Sequence, residues 1–225
     1  MSNPSSSQDL DHQAQEIGIG GYSSPEGDKT KYKLRMEQRK EIQIKRVAQR
    51  NKRKGLIIIF TGNGKGKTTA ALGMAIRTVG HSKSVAIIQF IKGGWEPGEV
   101  KALKYFGDLI KFHALGEGFT WESQDREKDQ ELVSEAWSKS LTYLKDPKYQ
   151  LVILDEINIA LKLGYISSKE VISGITQRPK LTHVILTGRS APKDIVESAD
   201  LVTEMKLLHH PFREQGIKAQ EGVEY

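Results

Sequence analysis

The 225-residue sequence contains no cysteine. That absence excludes disulfide bonds, thiolate zinc sites, iron–sulfur clusters and cysteine nucleophiles. Long apolar runs are missing too. None approaches the ~20 residues of a membrane helix, and the polar start lacks a signal-peptide pattern. Aromatic residues make up 7% of the chain and mean hydropathy is −0.48, which fits a soluble protein. A cytoplasmic location without membrane contact is therefore the expectation. Cations exceed anions by a net +6, but unevenly. Lys29 to Lys54 holds 12 Lys and Arg against Glu37 and Glu41, a net +10, so the remainder of the chain sums to −4. None of the six histidines has metal-site spacing, and the adjacent His209 and His210 point apart in an extended chain.

The chain reads in three parts. Residues 1–28 are Ser-, Gly- and Gln-rich with scattered apolar residues, a composition that cannot offset chain entropy by burial and reads as a disordered leader. Residues 29–54 shift to strong helix formers without Gly or Pro. Leu34, Ile42, Ile44 and Val47 are too sparse for a core stripe, so this arm reads as a basic, solvated helix able to dock onto something. Residues 55–225 alternate short β-branched runs with longer helical patterns. The runs are Leu56–Phe60, Val85–Phe90, Leu109–Phe112, Leu151–Leu154, His183–Leu186 and Leu201–Met205. Runs apolar at consecutive positions suit strands buried on both faces, as in parallel sheets. Val133, Trp137, Leu141 and Leu144 share one face of a helix predicted to begin near Gln124, with Asp125 and Glu127 favouring its N-terminus. The pattern predicts an α/β fold: a doubly wound, mainly parallel sheet of about six strands.

Two motifs carry chemistry. The run Leu56–Phe60 leads into Thr61-Gly62-Asn63-Gly64-Lys65-Gly66-Lys67-Thr68-Thr69 and then an Ala-rich helix. Its glycines let the backbone wrap closely, so that N–H groups face a phosphate chain. The helix dipole, the Lys67 ammonium and a Thr68 hydroxyl suited to Mg²⁺ add to this. The strict P-loop pattern asks for Gly where Thr61 stands, which leaves this loop one residue short. The second motif, LVILDE, places Asp155 and Glu156 at the C-terminal edge of another buried strand, where ligands sit in open α/β sheets. Alternatively, this pair caps a helix at Asn158. Together the motifs indicate a nucleoside triphosphate with Mg²⁺ (or Mn²⁺), in a P-loop, RecA-like domain.

The motifs do not fix the reaction. Hydrolysis coupled to work would use Glu156 as a water-polarising base. With the basic arm, that suggests a nucleic-acid-stimulated ATPase, although no nucleic-acid-reading motif is present and the body is acidic. A non-catalytic nucleotide sensor is a further reading. A fourth is attack on the nucleotide's ribose carbon, with the polyphosphate held as leaving group.

The segments TGNGKGKTTAA, QFIKG with Trp95 after it, GFTW, LDE, TGR and the closing GIKAQEGVEY occur in this order with matching spacing. Together, over roughly Arg46 to Tyr225, they resemble the P-loop type ATP:cob(I)alamin (corrinoid) adenosyltransferase family, which has the same shortened loop. The resemblance implies transfer of the 5′-deoxyadenosyl group from ATP to the Co(I) of a reduced corrinoid, with release of triphosphate. It implies that residues 61–69 hold the triphosphate, and that Thr68, Asp155 and Glu156 lie at the metal positions. Phe119 and Trp121 match the pair used on the lower corrin face to exclude the axial ligand, although GFTW alone would read as core aromatics. Arg189 is placed on phosphate or at a partner subunit, or else in a surface ion pair. The implied acceptor is cob(II)/cob(I)alamin or a cobinamide-type corrinoid, reduced by an electron-donating flavoprotein. The implied assembly is a homodimer, and nucleic acid is not expected as a partner. The basic arm matches a segment that folds over the corrin site, whereas residues 1–28 are expected to match nothing.

Overall fold

A computed structural model describes residues 29–91, 98–115 and 125–224. Residues 1–53 and 54–225 form two separate units. In the first, helix α1 (Lys29–Gln49) confirms a helical arm, ending five residues before Lys54. Leu34, Ile44 and Val47 are exposed on it, as their sparse spacing predicts.

The second unit runs β1 (Ile57–Thr61), α2 (Lys67–Gly80), β2 (Ser84–Gln89), α3 (Gly98–Leu103), a short 3₁₀ segment (Lys104–Leu109) and β3 (Ile110–Ala114). It continues with α4 (Arg126–Lys145), β4 (Tyr149–Asp155), α5 (Ile157–Lys162), α6 (Ser168–Thr176), β5 (His183–Thr187), α7 (Lys193–Glu197), β6 (Leu201–Glu204) and α8 (Pro211–Gln215). The described strands form one six-stranded sheet, ordered β3-β2-β4-β5-β1-β6, in which every pairing is parallel.

Consecutive apolar residues give this sheet a core on each face, because successive side chains alternate across a strand. Ile59, Ala86, Ile88, Val152, Leu154, Val184 and Leu186 pack on one side against α4 to α7, with Trp137, Val171 and Ile195 among the partners. Ile58, Phe60, Val85, Ile87, Leu151, Ile153 and Ile185 pack on the other side against Ala71, Leu72 and Ala75 of α2. The predicted helix near Gln124 is α4, capped by Asp125, whose Oδ1 accepts from the N–H groups of Glu127 and Lys128 at 3.1 Å each. At the opposite end of the sheet, Arg178 donates to the carbonyls of Ile175, Thr182 and Gly55 (2.8, 2.9 and 2.8 Å), fixing where β1 begins.

One expectation about burial fails. The run Leu201–Met205 forms a strand as predicted, but β6 pairs only with β1 and is exposed throughout, with Leu201 45% and Val202 41% accessible. It is an edge strand. An apolar run reports strand-forming residues, not which neighbours cover them.

Two glycines are expected to respond oppositely to alanine. A Cβ on Gly174 in α6 would lie 2.5 Å from Trp137 Cζ2 and 2.8 Å from Leu141 Cδ2, whereas one on Gly73 in α2 would meet nothing within 4 Å. Gly174→Ala should lower the unfolding free energy by about 1–3 kcal/mol through overpacking. Gly73→Ala should raise it by ~0.5–1 kcal/mol through helix propensity. Urea titrations of both variants check the two signs.

Candidate functional site

The phosphate loop and the carboxylate pair meet at the C-terminal edge of the sheet. β1 delivers the loop, β4 delivers Asp155 and Glu156, and β5 lies between these strands in the sheet order. The glycines of the loop serve a close approach. Gly62 has φ +94°, and a Cβ there would stand 2.4 Å from the Met205 carbonyl oxygen. The Gly64 N–H donates to that same carbonyl at 2.7 Å, so the segment after β6 forms the floor of the loop. Thr61, at the position where the strict pattern asks for glycine, accepts from the Ala191 N–H through its hydroxyl at 3.2 Å. Asn63, Lys65 and Thr69 are exposed, and Lys65 is ion-paired with Glu224 of the closing segment.

Lys67 is buried at the start of α2 and donates to the carbonyls of Gly62 (3.0 Å) and Gly64 (2.6 Å). Burial lowers its pKa from the usual lysine value, and the neighbouring Arg189 and Lys65 cations push the same way. The Glu156 and Asp155 carboxylates oppose the shift. Arg189 is exposed, but its charge reaches both Lys67 and Glu156, so it belongs to the electrostatics of this site.

The two acids differ in environment. Asp155 is 2% exposed and accepts from three side-chain donors. Thr68 Oγ1 (2.9 Å) and Thr187 Oγ1 (2.7 Å) donate to its Oδ1, and Gln89 Nε2 (3.0 Å) donates to its Oδ2. Glu156 occupies the N-cap position of α5 with φ +60°, yet its side chain makes no capping bond, so the capping alternative does not hold. Its Oε2 is buried without a hydrogen-bond partner. Burial raises its pKa to about 7, reinforced by the Asp155 charge and opposed by Lys67 and Arg189.

This donor set fits a hard cation. The Thr68 hydroxyl and the two carboxylates are all oxygen ligands, and one of the carboxylate oxygens, Glu156 Oε2, is buried without a partner. Among the described residues, no group of three or more His, Asp or Glu forms an all-protein cage. Mg²⁺ in that situation takes one or two carboxylates and completes its shell from phosphates and water. Gln89, Thr187 and Gly188 carry no motif signal of their own, although they sit inside the segments QFIKG and TGR. Phe119, Trp121 and Trp95 lie outside the described residues.

Comparison with known proteins settles the family. The model of the ATP:corrinoid adenosyltransferase BtuR/CobO/CobP family matches residues 53–225. The chain belongs to that family. A corrinoid adenosyltransferase of Sinorhizobium sp is 47% identical over 93% of this chain and 99% of its own length. One from Pseudomonas aeruginosa is 44% identical over 90% of this chain and 98% of its own, and one from Escherichia coli K12 is 43% identical over 87% and 98%. The Sinorhizobium match covers too much of this chain to leave all of residues 1–28 outside it, contrary to the expectation that they match nothing. Nothing in these relatives supports a nucleic-acid-stimulated ATPase.

The raised Glu156 pKa has a consequence for stability. Between its ordinary 4.5 and about 7, the folded chain holds a proton at Glu156 that the unfolded chain has released. Stability contributed by this group is therefore present below pH 4.5 and lost as pH rises towards 7. Nucleotide-free wild-type protein should lose on the order of 2–3 kcal/mol relative to Glu156→Gln across that interval. Parallel urea titrations at pH 5 and pH 8 read the difference.

Proposed function

We propose that this protein transfers the 5′-deoxyadenosyl group from ATP to the cobalt of a reduced corrinoid and releases triphosphate. The observation that carries the reading is the family match over residues 53–225, and a loop and carboxylate pair chemically suited to a polyphosphate support it. The cobalt centre contributes the electron pair: a Co–C5′ bond forms, the C5′–O bond breaks, and triphosphate departs with the bonding electrons. Co(I) is itself a strong nucleophile, so the chain must align the reactants and stabilise the leaving group, with no base needed to remove a proton.

In this reading the loop residues Thr61, Gly62, Asn63, Gly64, Lys65, Gly66, Lys67, Thr68 and Thr69 hold the triphosphate. Lys67 exchanges its two loop carbonyls for phosphate oxygens, which also relieves the cost of its burial. Arg189 adds a second cation. Thr68 and Glu156 would hold Mg²⁺ (or Mn²⁺), with Asp155 orienting the Thr68 hydroxyl. When bound, the ion offsets the growing charge of the leaving triphosphate. Phe119 and Trp121 would take the lower face of the corrin and exclude its axial ligand. That lowers the electron-accepting orbital of Co(II) and lets a flavoprotein donor reach Co(I).

The acceptor would be cobalamin or a cobinamide-type corrinoid, and the cationic arm suits a ligand carrying amide and phosphate groups. Among the described residues no helix is long and apolar enough to cross a membrane. A cytoplasmic homodimer is the proposed working form.

Anaerobic incubation with MgATP and chemically reduced corrinoid should yield adenosylcorrinoid and triphosphate in equal amounts. Lys67→Ala should lower this rate by about 10²–10³-fold, the usual loss when one leaving-group stabiliser is removed. ADP and phosphate as the only products would refute the proposal. The double variant Phe119→Ala/Trp121→Ala should lose turnover from Co(II) with a reductase while largely keeping turnover from pre-formed Co(I). Equal losses in both assays would remove the coordination role.

A further inference from the structure

Three features at the edge of the sheet have no part in the chemistry above: the buried Thr187 hydroxyl, the buried Gly188 backbone and the half-buried Gln89 amide. We propose that the tip of β5, through Thr187, is the positioning element that sets both carboxylates of the site in register for a divalent cation. The inference rests on the reading of Thr68, Asp155 and Glu156 as the residues that serve Mg²⁺.

A hydroxyl has one proton to give and two lone pairs to offer. Thr187 is fully buried, gives its proton to Asp155 Oδ1 at 2.7 Å, and accepts the Glu156 backbone N–H at 2.9 Å. A single side chain thereby ties the carboxylate of one acid to the backbone of the next. Its β-branched carbon restricts the hydroxyl to few directions, so the tie is stiff.

Each end of the tie has a defined effect. At Asp155, Thr187 shares Oδ1 with Thr68, whose proton is thereby also directed at the carboxylate. The Thr68 lone pairs are left facing away from Asp155, as a cation-binding hydroxyl requires. Gln89 holds the other oxygen of Asp155, which prevents the carboxylate from rotating out of this arrangement. At Glu156 the backbone has φ +60°, a conformation that non-glycine residues seldom adopt without an anchor, and the Thr187 hydroxyl on its N–H is such an anchor.

The residue after Thr187 completes the arrangement. Gly188 has φ +126°, and a Cβ there would come within 3.1 Å of Glu156 Oε2 and 3.0 Å of Asn158 Cβ. Its carbonyl accepts from Asn158 Nδ2 at 3.2 Å, which pins the turn in place. The bare backbone leaves space beside the Glu156 oxygen that has no hydrogen-bond partner. Thr187 thus fixes the residue and Gly188 leaves its carboxylate room.

The test compares ATP binding by isothermal titration calorimetry in Mg²⁺ and in EDTA for full-length wild type, Thr187→Val and Thr187→Ser. Valine keeps the shape and loses the hydroxyl, while serine keeps the hydroxyl. The proposal requires Thr187→Val to lose about tenfold or more of the Mg²⁺-dependent gain in ATP affinity, as for residues that orient metal ligands. Its affinity in EDTA should stay within about twofold of wild type, and Thr187→Ser should retain the gain. An undiminished gain in Thr187→Val overturns the proposal. So does an equal loss in Mg²⁺ and EDTA, which would indicate general disturbance of the loop. Absence of any Mg²⁺-dependent gain in wild type would instead sink the metal reading and this inference with it. Should Thr187→Val fail to fold, Thr187→Ala takes its place in the same comparison, and loss of the gain in Thr187→Ser alone would overturn the proposal.

Discussion

The candidate site depends on one buried carboxylate. Asp155 draws donors from three elements, Thr68 from α2, Thr187 from β5 and Gln89 from the end of β2. A carboxylate buried without hydrogen-bond partners would cost several kcal/mol, and these three contacts offset the cost of placing one at that depth. They also make the site a property of the sheet order. β5 must lie between β1 and β4 for its terminal threonine to reach β4's aspartate, and β2 must flank β4 on its other side for Gln89 to reach the second oxygen. The parallel sheet delivers all these strand ends to one edge.

The contrast between Asp155 and Glu156 follows from the same arrangement. Adjacent residues at a strand end point in different directions, so one can turn into the donor-rich seam while the other leaves it. Asp155 is satisfied, whereas Glu156 enters a left-handed backbone conformation and carries a buried oxygen with no partner. The unmet hydrogen-bonding capacity therefore lies on Glu156, facing the same electrostatic environment as Lys67 and Arg189. Under the proposed function, a cation would enter such a site together with its anionic ligand more readily than alone, because Lys67 and Arg189 already oppose positive charge.

Much of this was legible in the sequence, for identifiable reasons. The strands could be read because two-sided burial writes apolar residues at consecutive positions, as in Leu151–Leu154 and His183–Leu186. The phosphate loop and the LDE pair could be read because each is local, with its chemistry held in a few adjacent residues. The start of α4 is local too, since Asp125 and Glu127 mark it by their charge, although the capping bonds of Asp125 are a finding of the structure. Thr187 and Gln89 could not be assigned roles, since their function arises from strands 32 and 66 residues away from Asp155 in the chain. Nor could the exposure of β6 be read, because Leu201 and Val202 have the composition of a covered strand and only the sheet order makes them an edge.

The edge strand also bears on the shortened phosphate loop. A loop with threonine in place of its first glycine has less conformational freedom at that position and leans on contacts outside it. Here it leans on the segment after β6: the Met205 carbonyl accepts from Gly64, and the approach is so close that a side chain at Gly62 would strike it. Thr61 in turn uses its hydroxyl to hold the Ala191 N–H, joining the loop to the chain that follows Arg189. A glycine at 61 would have no side chain with which to make that contact. The departure from the strict P-loop pattern is therefore compensated structurally, by the hydrogen bond that the Thr61 hydroxyl accepts on one side and a backbone floor on the other. The loop, the arginine segment and the exit from β6 are consequently expected to order together, because each uses backbone groups of the next as its support.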